Sequence, residues 1–163
     1  MKSGSRAEPS SQAARVRMQH TPQRDTPCEL AIRKELHRRG VRFHVNRKPL
    51  SSTRRTADIV FIRKRIAIFV DGCFWHQCPK HGTVPKANRA WWVNKFKANR
   101  VRDHDTNTSL KSAGWCVVRV WEHESPLRAT DRIMRALARP GIAQTTISPN
   151  ARAATITKIE PDR

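Results

Sequence analysis

From Val70 to His81 the chain reads Val-Asp-Gly-Cys-Phe-Trp-His-Gln-Cys-Pro-Lys-His, which places Cys73, His76, Cys78 and His81 within nine residues. The stretch from Cys73 to Pro85 shows neither helical nor strand periodicity and has few aliphatic side chains to bury, so it is expected to be irregular. Such a loop needs something other than a core to order it. Zinc does this with four thiolate or imidazole ligands in a tetrahedron, and its binding energy then becomes folding energy. Cys78 and His81, three residues apart, suit a tight knuckle, and Cys73 lies just before them. One more ligand has to come from elsewhere. His123, which follows the apolar run 115–121, is one candidate. Cys116 is the other, although its neighbours Trp115, Val117 and Val118 favour a core thiol. His76 has two readings as well, a zinc ligand or a general base near its natural pKa. If Cys73, Cys78, His81 and His123 fill the tetrahedron, His76 is left for chemistry.

On either side of this loop the sequence is patterned for an α/β fold. Thr26-Pro27-Cys28-Glu29 is a helix start, with Thr26 as N-cap, Pro27 at the first helical position and Glu29 completing a capping box. Ile32 and Leu36 mark the buried face, and Gly40 ends the helix. Val41 to Val45 is expected as a short strand. The β-branched runs 56–62 and 66–70, separated by Arg63-Lys64-Arg65, are expected as a hairpin. A long helix over 88–113 anchored by Trp92, Phe96 and Leu110, a strand over 115–121 and a short helix over 131–138 complete the series. That order predicts a mixed central sheet flanked by helices in a domain spanning 21–139. Residues 1–20 are expected as a flexible basic arm and 140–163 as a disordered tail.

Lys and Arg number 33 against 13 Asp and Glu, a formal net charge of +20. An excess of this size attracts polyanions, with nucleic acid the first candidate and an anionic membrane surface the second. A basic bias of the whole proteome is the plainer explanation. No apolar run is long enough to span a bilayer, and the N-terminal stretch has no apolar segment of the signal-peptide kind. A reducing bacterial cytoplasm, in association with the nucleoid, is therefore the expected location, with the cysteines as thiols or metal ligands.

Against this charge, Asp58 stands out because it sits inside an apolar strand, between Ala57 and Ile59. A carboxylate there is costly unless it is paired. Either a divalent cation or an arginine such as Arg54 or Arg55 would resolve the cost. Asp71, at the end of the adjacent strand, is placed to face the same ion. Glu29 is already explained by its capping box. Phe74, Trp75 and Trp92 are aromatic groups that either pack the core or enter a base step as wedges. Lys95, Lys97, Arg100 and Arg102 make the long helix basic, as phosphate contacts require.

Taken together, these residues resemble the Vsr family of mismatch endonucleases. The run 70–81 carries most of the resemblance. Arg24-Asp25-Thr26, Ala57-Asp58-Ile59-Val60, Trp92 with Lys95, Asn99-Arg100, Gly114-Trp115 and Val120-Trp121-Glu122 follow in the family's order. The resemblance spans about 12–130. It implies a restriction-endonuclease-like fold, and nicking of double-stranded DNA beside a T:G mismatch left by deamination of 5-methylcytosine. Such a protein is expected to be a monomer, with a cytosine methyltransferase as its genomic neighbour. By position, Asp58 resembles the family's magnesium-binding aspartate and Val70 the residue that binds the ion through its carbonyl. His76 resembles the catalytic histidine and Glu29 an assisting acid. Phe74, Trp75 and Trp92 resemble the intercalating aromatics, and Met18 falls near an N-terminal position that also touches the lesion. The chain departs from the pattern at Asp71, where some members have histidine, at Val70, where some have threonine, at His123, where cysteine is common, and at Ala57, where proline is usual. Two other readings compete with the mismatch nickase: a restriction or defence nuclease, and a non-catalytic zinc-containing DNA-binding module. Asp58 separates the enzymes from the module, which has no use for a lone carboxylate near bound phosphate.

Overall fold

Helix α1 spans Pro27–Arg38 in the computed structural model, which describes residues 24–139. The expected basic arm, the C-terminal tail and Met18 lie outside the described residues. Thr26 caps α1 by accepting from the Glu29 N–H. Glu29 replies with a variant of the capping box, its carboxylate accepting from the Thr26 hydroxyl and from the N–H of Asp25. The helix ends in a paired motif in which the Gly40 N–H donates to the carbonyl of His37 and the Val41 N–H to that of Leu36. Gly40 supplies the φ of +72° this exit needs. The same bond explains a difference from expectation. Val41 spends its N–H on closing the helix, so the strand expected at 41–45 forms later, as β1, His44–Arg47.

Strand β2, Ala57–Phe61, pairs antiparallel with both β1 and β3, Ile66–Asp71. The tight connection between β2 and β3 is the predicted hairpin. Helix α2, Arg89–Ser112, then carries the chain across to β4, Cys116–Trp121, which lies parallel to β3. The sheet order is β1-β2-β3-β4, so the predicted mixed sheet is present. Helix α3, Pro126–Ala138, starts five residues before the expected 131. Its signal was available, because Ser125 caps it and Pro126 occupies its first turn in the same way as Thr26-Pro27.

Strand alternation divides the core between the two faces of the sheet. Ile59, Phe61, Ile66, Ile68 and Val120 pack with Ile32 and Leu36 of α1 and Ala129 and Ile133 of α3. Val60, Ala67 and Phe69 pack with Leu110 and Trp115 at the end of α2. Helices therefore cover both faces, and the C-terminal ends of the parallel strands β3 and β4 open toward the Cys/His loop. None of the described helices is long and apolar enough to cross a membrane.

Candidate active site and metal centre

The β3–β4 register places Asp71 opposite Trp121, so the loop after β3 and the turn after β4 leave the sheet side by side. This neighbourhood brings together a Cys/His group able to hold a metal ion. Cys73, Cys78, His81 and His123 bring their donor atoms within 4.8 Å of one another. The sulfur-to-Nδ1 separations are 3.1 Å and 3.8 Å from Cys73 to His123 and His81, and 3.6 Å and 3.9 Å from Cys78 to the same two rings. A tetrahedral zinc with ordinary bond lengths sets sulfur and nitrogen about 3.6 Å apart, so the donor set fits that ion. Burial, and then the neighbouring Cys78, push the Cys73 thiol well above its usual range. A thiol in this state becomes a thiolate only with a cation beside it. Cys116 lies elsewhere, at the start of β4 against the core.

Backbone bonds hold the loop in shape. The N–H of Cys78 donates to the Cys73 carbonyl and that of Gly82 to the Cys78 carbonyl, at 2.9 and 2.7 Å. A Cβ on Gly82 would come within 2.6 Å of that second carbonyl, so only glycine permits the closure. Glu122, whose importance the residue pattern alone did not show, accepts from the Cys73 N–H at 2.7 Å while its own N–H donates to the Asp71 carbonyl. It thereby fixes the start of the loop to the end of β4.

Asp58 lies where β2 and β3 separate. Their pairing ends at Ile59 and Ile68, and beyond it Asp58 Oδ2 accepts from the Val70 N–H at 2.7 Å. Among the described residues no Lys or Arg forms an ion pair with Asp58, and Arg55 pairs with Asp105 instead. Burial raises the Asp58 carboxyl to about 6; the Val70 bond offsets part of this and the charges of Glu29 and Asp71 add to it. Glu29 is buried nearby, with its oxygens committed to Thr26, Asp25 and Arg33.

Asp71 differs from expectation. Both of its oxygens accept from Arg119, at 2.7 and 2.8 Å, so its carboxylate is held in an ion pair within the protein. His76 stands apart from the Cys/His cluster, its Nδ1 at 2.6 Å from Asp103 Oδ2. An ionised carboxylate only accepts, so the proton of the neutral ring lies on Nδ1 and Nε2 is left as a base. Asp103 was not anticipated. It lies on the basic helix α2 and looks like a solvated charge until the fold brings it to His76.

The aromatic residues cluster beside this pair. Phe74 packs edge-on against Trp75, Trp92 and Phe96, at centroid distances of 5.2, 5.1 and 5.3 Å. Phe74 and Trp75 are half-buried, whereas Trp92 is buried and stacks on Phe96. Asn99, also unanticipated in this role, is buried in α2 and donates to the Trp75 carbonyl at 2.8 Å. Arg100 is exposed on α2 and Lys95 partly so.

Comparison with known proteins gives a consistent result. Residues 9–81 match the family of the DNA mismatch endonuclease Vsr. The Type II nicking enzyme V.NaeI of Lentzea aerocolonigenes is 42% identical over 112 residues, 66% of this chain and 66% of that protein's length. The Type II nicking enzyme V.XorIIP of Xanthomonas oryzae pv. oryzae is 40% identical over 129 residues, covering 77% of this chain and 92% of that one. The DNA mismatch endonuclease Vsr of Escherichia coli K12 is 33% identical over 100 residues, 61% of this chain and 62% of that protein.

Proposed function

Because this chain belongs to the Vsr family of DNA mismatch endonucleases, and is accordingly a DNA endonuclease, we propose that it nicks one strand of duplex DNA beside a T:G mismatch, with magnesium at Asp58 and zinc in the Cys/His cluster. The observation that carries this reading is Asp58 itself, a largely buried carboxylate hydrogen-bonded to the Val70 N–H and without a contact ion pair among the described residues, Arg33 acting on it only through its more distant charge. Asp58 and the Val70 carbonyl would hold the magnesium ion. When bound, such an ion polarises the scissile phosphate and lowers the pKa of a water at that site.

The protein's own groups do the rest. His76 Nε2 takes the proton of the attacking water, while Asp103 holds the ring by Nδ1 and stabilises the imidazolium that results. Glu29 sets the start of α1 beside Asp58 and assists from there. Phe74 and Trp75 enter the duplex as the wedge, with Trp92 supporting them from behind. Lys95 and Arg100 bind phosphate and place the duplex across the site. Zinc at Cys73, Cys78, His81 and His123 fixes the loop that carries both the wedge and His76.

The test is a nicking assay on duplexes with a central T:G pair in randomised flanks, beside the same duplexes with T:A and C:G pairs, with and without magnesium. Nicks confined to T:G duplexes in magnesium are expected. Equal nicking of matched and mismatched duplexes would favour a restriction-type nuclease, the reading suggested by relatives named as Type II nicking enzymes.

A further inference from the structure

In the middle of β4, Arg119 uses its whole guanidinium inside the molecule. Besides the two bonds to Asp71, Nη2 donates to Asp103 Oδ1 at 3.0 Å and Nε to Asn107 Oδ1 at 3.1 Å. Its Cζ lies 5.0 Å from the centre of the Phe69 ring. One side chain thus joins the end of β3 and a full turn of α2 to β4. Only 22% of it is exposed, so water does not screen these bonds as it does an ordinary surface pair.

The acceptors around His76 show what this arrangement achieves. Two carboxylates approach the same ring nitrogen. Asp103 Oδ2 is 2.6 Å from Nδ1 and Asp71 Oδ1 is 3.7 Å from it. Arg119 takes both oxygens of Asp71 and the other oxygen of Asp103. Asp103 Oδ2 remains as the one oxygen of the four that is not bonded to the guanidinium.

We propose that Arg119 is a positioning residue for the nicking reaction: by sequestering Asp71 and anchoring Asp103, it determines which carboxylate His76 donates to, and so fixes the ring orientation that presents Nε2 to the substrate. The fork geometry of arginine is essential, because three donors must point in fixed directions at once, and a lysine ammonium is a single point charge on a flexible stem. Without Arg119, Asp71 competes for Nδ1 from the other side, and the imidazole loses its single orientation.

The inference rests on the proposed nuclease reading for its rate measurement and is independent of it for its spectroscopic one. The variants are Arg119→Gln, Arg119→Lys and the double variant Arg119→Gln with Asp71→Asn, each as the full chain with its metal content measured. In Arg119→Gln, DNA affinity and zinc content are expected to stay within about twofold of the parent, while the nicking rate at saturating DNA falls about 100-fold, the usual scale of a displaced acid–base group. The strongly hydrogen-bonded Nδ1–H resonance of His76 in ¹⁵N-edited NMR is expected to be lost. The double variant, with the competing carboxylate removed, is expected to recover the resonance and at least tenfold of the rate. Arg119→Lys keeps the charge and is expected to resemble Arg119→Gln; it also decides the matter if the glutamine variant does not fold. A full rate with an unchanged His76 resonance in Arg119→Lys overturns the proposal. So does a parallel fall of rate and affinity that Asp71→Asn does not rescue, since that pattern marks a purely structural ion pair. If the parent chain nicks none of the duplexes, the nuclease reading fails and the resonances alone judge Arg119.

Discussion

At the level of single residues, Asp58 shows how a functional carboxylate costs stability. Its carboxyl is raised from 3.8 to about 6, first by burial, so the charged form is disfavoured in the folded state. Metal-free protein therefore carries a penalty that is absent below the unfolded pKa of 3.8, grows as pH rises toward about 6, and is constant above it. Asp58→Asn keeps an acceptor for the Val70 N–H and removes the charge. The variant is expected to abolish nicking, to leave DNA binding intact, and to stabilise metal-free protein at pH 7.5 by up to about 3 kcal/mol, given about 1.4 kcal/mol per pKa unit. That gain should shrink toward zero near pH 4. Urea denaturation in chelator at both pH values, alongside a nicking assay in magnesium, checks all three parts. Near-parental nicking by Asp58→Asn would remove the residue from the mechanism.

Among the elements, the loop after β3 concentrates structure and function together. It buries almost no aliphatic side chain, and its order comes from the Cys/His cluster, the Glu122 bond and the Gly82 closure. Protein as purified is expected to contain one zinc per chain by metal analysis. Cys78→Ser should lose that zinc and lower Tm by about 10 °C or more, on the scale of a few degrees per kcal/mol for a domain of this size. His123→Ala should do the same if His123 is the fourth ligand, and unchanged zinc content in that variant would reassign only that position. Trp75 offers a separate test of the loop's role in recognition. Opening a base step costs a few kcal/mol, and less at a mismatch. Trp75→Ala should therefore lower the preference for T:G over matched duplexes by about tenfold while leaving zinc content and general affinity near parental. Loss of zinc or of Tm in this variant, with preference retained in the folded fraction, would show instead that Trp75 only packs against Phe74 and Trp92.

For the whole molecule, the formal charge of +20 makes binding to any duplex strongly electrostatic. With about five phosphates neutralised by residues such as Lys95 and Arg100, the logarithm of the affinity should fall with the logarithm of salt with a slope near −4.5, since each contact contributes about −0.9. Mismatch preference, which arises from the wedge, should change far less over the same range. Fluorescence titrations of matched and T:G duplexes between about 50 and 200 mM salt separate the two. A preference that collapsed along with affinity would place recognition in the charge and not in the aromatic residues.

Much of this protein was legible before any fold was known. Thr26-Pro27, the β-branched runs on either side of Arg63-Lys64-Arg65 and the spacing of Cys73, Cys78 and His81 are local signals. Their consequences follow from backbone sterics, hydrogen-bond capping and ligand chemistry within a few residues. The isolation of Asp58 in an apolar run was equally visible. The partners of these groups were not, because partnership depends on contacts between segments far apart in the chain. Asp103 lies 27 residues from His76 and Arg119 lies 48 from Asp71, and neither pair shares any local pattern. On a chain this rich in arginine, nothing in the sequence distinguishes a guanidinium that turns inward, as those of Arg119 and Arg33 do, from those that face water. The parallel pairing of β3 with β4 and the crossing of α2 over the sheet made that selection. They bring Asp71, Asp103 and Arg119 to one end of the sheet, where partial burial strengthens their attraction.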